Sequence, residues 1–146
     1  MSRAKRRSKS SGGGRDARHL RLYHYVIESE AWRDLSPGAK ALYTGLAYRY
    51  NGSNNGEIPY SCREAAAYLN VSKNTASRLF NELVDHGFAS EARSSSFDLK
   101  TREARLWRLH DPFYGRDHSD SGAFLRWRKS REQPGATTGK IRNTVT

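Results

Sequence analysis

Lys73, Asn74, Ser77, Arg78 and Asn81 fall on one side of a single predicted helix. Their side chains are the amide, hydroxyl and basic groups that read DNA base edges in a major groove. The Asn74 amide matches the N6/N7 edge of adenine. The Arg78 guanidinium matches guanine O6/N7, or a phosphate. Ser72 and Thr75 sit in the first turn, where free backbone N–H groups attract anions, and are expected to contact phosphate. A solvated helix face would carry the same residue types. The order of the surrounding elements favours the groove reading for Lys73, Asn74 and Arg78.

That helix is expected to run from residue 72 to 86. Ser72 opens it after a break at Asn70-Val71. Ala76, Leu79, Phe80, Leu83 and Val84 recur at i, i+3, i+4, i+7 and i+8, which makes one apolar stripe behind the polar face. Just before it, Ser61 followed three residues later by Glu64 is a capping box and starts a shorter helix. Earlier still, Ser36-Pro37 gives an N-cap and a proline at the first helical position. Leu42, Tyr43, Leu46, Ala47 and Tyr50 supply that helix's stripe. The run Asn51 to Gly56 reads as a turn and Glu57 to Tyr60 as a small edge strand.

Gly87 follows the second helix of the pair at the position that favours a left-handed backbone. Phe88 to Arg93 and Glu103 to His110 read as strands joined by a polar loop. Leu20 to Tyr25 fits a short strand or a helical turn equally well. Trp32 and Leu35 are expected to anchor that segment. The aromatics Tyr43, Tyr48, Tyr50, Phe80 and Phe88 are expected in the core rather than as stacking platforms for single-stranded bases.

The chain has 146 residues and a formal net charge of +11. Residues 1–18 hold seven basic and one acidic side chain, residues 19–114 twelve and eleven, and residues 115–146 seven and three. The middle is nearly neutral, and the basicity lies at the ends. We therefore expect a disordered basic arm over 1–18, one domain over 19–114, and a basic tail over 115–146 with a short helix at 123–129. A polyanion is the natural partner. The single cysteine, Cys62, excludes an internal disulfide and fits a reducing cytoplasm, and the location expected is cytoplasmic and nucleoid-associated. The five histidines lack metal-ligand spacing, and no nucleophile–base pair or phosphate-binding glycine loop is present. No enzyme, cofactor, metal or membrane role is expected.

The order helix, short strand, helix, helix, strand, loop, strand over 36–110 resembles the winged helix-turn-helix superfamily of DNA-binding regulators. The fold class expected is mostly α with a small antiparallel β wing. Within that superfamily, Ala31 to Trp107 is similar to small helix-turn-helix proteins of alphaproteobacterial genomes, plasmids and phages. The matching residues are Ala31-Trp32, Leu35-Ser36, Tyr50 to Gly56, Ser61 with Arg63 to Ala66, Thr75 to Arg78, Glu82-Leu83 and Gly87-Phe88, with Phe124 and Trp127 beyond. The resemblance implies sequence-specific DNA binding.

On this reading the wing spans roughly 93–105, and Arg93, Lys100, Arg102 and Arg105 are its candidate phosphate contacts. Arg3, Lys5, Arg6 and Arg7 form a basic arm for a minor groove or for nonspecific attraction. Glu82 and Asp85 are expected to point away from phosphate. The function expected is a transcriptional regulator, more simply a repressor than an activator, binding duplex DNA as a homodimer because one reading helix covers only a half-site. Two alternatives stand beside it. One is a DNA-processing accessory factor in replication initiation or excision. The other is an adaptor that binds a protein partner through Phe124 and Trp127.

Overall fold

Three serine side chains start the three long helices. In the computed structural model, which describes residues 17–93, 105–116 and 118–130, Ser36 Oγ accepts from the Ala39 N–H at 3.2 Å and opens α3, Pro37–Tyr48. Ser61 Oγ accepts from Glu64 N–H, and Glu64 Oε2 accepts from Ser61 N–H at 2.9 Å, which completes the capping box of α4, Cys62–Leu69. Ser72 Oγ accepts from Thr75 N–H at 3.1 Å and opens α5, Lys73–Asp85. Between α4 and α5 the chain reverses through Asn70, whose φ of 56° is the left-handed conformation that asparagine tolerates. Of the undecided segment Leu20 to Tyr25, residues 20–23 are neither strand nor helix and only His24 and Tyr25 are helical, in the single turn α1, His24–Ile27, which precedes α2, Glu30–Asp34.

Strands β1 (Ile58–Pro59), β2 (Ala89–Arg93) and β3 (Leu106–Leu109) form one antiparallel sheet in the order β1-β3-β2. Ile58 pairs with Trp107, and Ala89 with Leu109. Pro59 lies on the edge strand, where its missing N–H costs no ladder bond. A register irregularity between Glu91 and Arg93 bends β2 next to β3. The molecule is thus an α+β protein with a small three-stranded antiparallel sheet, and α3, α4 and α5 pack on one another beside it.

The core joins helices to sheet through aromatic rings. Phe80 from the back of α5 stacks on Trp107 of β3 at 4.4 Å between centroids. Trp32, Tyr43 and Phe88 meet edge to face. Gly38 lets α3 approach α5 closely, since a Cβ there would stand 3.1 Å from the Leu79 methyls.

Four expectations need correction. Tyr48 is 77% exposed, because it lies well off the stripe formed by Ala39, Leu42, Tyr43 and Leu46. Val84 is 40% exposed, at the margin of the α5 stripe. The packed unit does not stop at residue 114. A 3-10 turn, Pro112–Tyr114, leads on to α6, Ala123–Arg126, whose Phe124 is 1% exposed and stacked on Phe88. The predicted turns at 123–129 end at Arg126 because Trp127 is extended. Among the described residues no helix is long and apolar enough to cross a membrane.

Candidate nucleic-acid interface

Helix α5 is sorted into two faces. Ala76, Phe80 and Leu83 are fully buried beneath it. Ser72, Lys73, Asn74, Arg78 and Asn81 are exposed on the other side, with Thr75 and Ser77 half-buried between. Thr75 Oγ1 receives the Ser72 hydroxyl at 3.0 Å and the Arg78 Nη2 at 3.4 Å. The Arg78 side chain therefore lies back toward the helix start, as helical side chains do. The guanidinium is brought to the same end of α5 as Lys73 and Asn74. That end also carries the positive pole of the helix dipole.

The acidic residues on α5 are turned to other work. Glu82 accepts from Ser36 N–H at 2.5 Å and from Ser36 Oγ–H at 2.7 Å, so its carboxylate sits on the N-terminus of α3. That contact complements the α3 dipole and pins α5 laterally. Asp85 stays exposed near the C-terminal end of the helix, away from the Lys73–Arg78 group.

The expected wing residues separate. Arg105, expected as a phosphate contact, is half-buried and engaged by other side chains. Its Nε and Nη2 donate to the two oxygens of Glu91 at 2.9 and 2.8 Å, and its Nη1 donates to Cys62 Sγ at 3.3 Å. A carboxylate presented squarely to the fork draws the guanidinium back across the sheet, and these hydrogen bonds raise its pKa. Arg93 pairs with Leu106 in the sheet through its backbone. Lys100 and Arg102 lie outside the described residues, as do Arg3, Lys5, Arg6 and Arg7.

The far end of α5 is tied to the C-terminal segment. His86 caps the helix, with Nδ1 2.8 Å from the Glu82 carbonyl and Nε2 2.8 Å from Asp34 Oδ2. Trp127 stacks on the His86 ring at 4.5 Å. Lys129 Nζ reaches Asp34 Oδ1 at 2.9 Å, and the Lys129 N–H donates to Glu30. The bonds from His86 and then Lys129 hold the Asp34 carboxyl below the usual range. Phe124, a partner anchor only in the alternative adaptor reading, is part of the core, and sequence reasoning missed this docking.

A buried polar group lies beside α3. Asp111, 1% exposed, accepts the Tyr25 hydroxyl and the Phe113 N–H on Oδ1. Burial pushes the neighbouring Tyr114 phenol up to about 12. Among the described residues no cluster of three His, Cys, Asp or Glu side chains could hold a metal ion. Comparison with protein-family models, curated proteins and solved structures returns no match.

Proposed function

We propose that this chain is a winged helix-turn-helix protein that binds duplex DNA sequence-specifically, with α5 laid in the major groove, and that it acts as a transcriptional regulator by occluding a promoter. The observation that carries the reading is the sorting of α5. One face is locked into the core by Phe80 and Leu83, and the other presents Lys73, Asn74, Arg78 and Asn81 together. A helix of 13 residues is about 20 Å long, enough to follow the groove past one half-site. The sheet order β1-β3-β2 and the tight α4–α5 turn fit a winged helix. The role proposed is binding rather than catalysis, in the cytoplasm at the nucleoid, with a second copy on a palindromic site.

The test is selection of bound duplexes from a random library by the purified full chain. Enrichment of a motif whose half-sites repeat at about one helical turn, roughly 34–36 Å, supports the reading. Binding that rises with charge alone and enriches no motif overturns it. Tandem sites over an origin or attachment site would shift the role from regulation to DNA processing while leaving the groove assignment intact. The adaptor reading loses its main anchor, since Phe124 is already used inside the protein.

A further inference from the structure

We infer that Arg105 is a positioning residue, which fixes the angle between the sheet and the reading helix α5 without itself touching DNA. The inference rests on the DNA-binding reading above and assigns this basic side chain a role opposite to the one its charge suggests.

One guanidinium touches four elements. Across the β2–β3 pair its fork meets both oxygens of Glu91, at 2.9 and 2.8 Å. At the first position of α4 it donates to Cys62 Sγ, at 3.3 Å. Its Cζ lies 4.8 Å from the Trp107 ring centroid on β3 and 5.7 Å from that of Phe80 on α5. Phe80 and Trp107 are themselves stacked nearly parallel, 8° apart. Phe80 sits one residue before Asn81 and two after Arg78, so a displaced ring carries the reading face with it. The contact is also well sheltered, with the two side chains only 23% and 27% exposed. A planar fork held on both prongs has little freedom, and it transmits position as well as charge. Base readout depends on such placement, because bidentate contacts fail with displacements of the order of 1 Å.

The charge arithmetic agrees. Glu91 cancels the Arg105 charge locally, so the pair contributes little to attraction of a polyanion. Its removal should alter discrimination more than nonspecific affinity.

The experiment compares wild type, Glu91→Gln and Arg105→Lys on the selected duplex and on a random duplex, each over a range of salt, with melting temperature recorded for every chain. Glu91→Gln keeps the side-chain shape and loses the carboxylate that orients the fork. It is expected to weaken the selected duplex about tenfold, with random-duplex affinity within about twofold and the salt slope unchanged. Arg105→Lys keeps the charge and loses the fork, and is expected to match it. If Glu91→Gln instead tightens both duplexes and steepens the salt slope, the freed guanidinium is a phosphate ligand and the inference is overturned. A fall in melting temperature with the duplex preference intact also overturns it, since that is a purely structural role. Should Arg105→Lys fail to fold, Glu91→Gln alone decides. A wild-type chain that enriches no motif overturns the DNA-binding reading itself, and that result is visible before any variant is compared.

Discussion

Asn74 and Gly87 bracket α5, and they make opposite demands on a side chain. Asn74 is exposed and has no partner among the described residues, so it is free to present its amide. Asn74→Ala is expected to cost about 1–3 kcal/mol on the selected duplex and to relax preference at one base position, with little change in melting temperature. Competition binding against single-base variants of the site measures it. Gly87, just past the C-cap, has φ of 79°, and a Cβ there would stand 2.8 Å from the Phe124 backbone nitrogen. Gly87→Ala therefore combines a left-handed backbone with a clash against backbone atoms. The expected loss is about 1–3 kcal/mol of folding stability, measured by denaturant unfolding. The same position thus ends α5 and admits α6.

At the scale of elements, α6 is the piece whose role the sequence concealed. The serine caps of α3, α4 and α5 were legible because each is a local event: one hydroxyl, one N–H three residues on, and an apolar stripe following. The partner of the Glu82 carboxylate, Ser36, lies 46 residues distant and leaves no local trace. Four residues, Ala123 to Arg126, cannot show helical periodicity, and the surrounding basic side chains read as a solvated tail. What holds α6 is tertiary: Phe124 on Phe88, Trp127 on His86 and Lys129 on Asp34. The pairing of Arg105 was hidden for a related reason, since its charge is visible in the sequence and the facing Glu91 depends on strand register. Phe124→Ala is expected to cost about 3–5 kcal/mol, the range for removing a buried aromatic, and thermal unfolding checks it. If α6 were an appended tail, the melting temperature would not move.

For the molecule as a whole, acid is the condition that tells. Burial lowers the His110 pKa from 6.5, outweighing the raising effect of its contact with the Gly87 carbonyl. Asp120, His118 and Arg108 also face it, the first favouring the charged ring and the other two opposing it. Because the folded pKa is below the unfolded one, protons bind the unfolded chain first. The stability from His110 is complete above pH 6.5 and is lost as pH falls toward the folded value. Asp34 and Glu64 also have lowered pKa values, Asp34 through His86 and Lys129 and Glu64 through the Ser61 N–H, so their contributions are lost further into acid. Melting temperature is expected to fall as pH drops below 6.5, and His110→Gln is expected to flatten the first part of that decline. A melting temperature that rises on acidification would contradict the sign.

The core is divided between the two sides of the β2–β3 connection. Tyr43, Phe80 and Phe88 precede it, while Trp107, Leu109 and Phe124 follow it. Neither stretch can cover its own apolar surface, and each supplies rings that the other needs. A chain cut between residues 94 and 104 is therefore expected to give two complementary pieces that rebuild the Phe80–Trp107 and Phe88–Phe124 stacks only together. Co-expression of the two pieces is expected to restore a cooperative melting transition that neither piece shows alone.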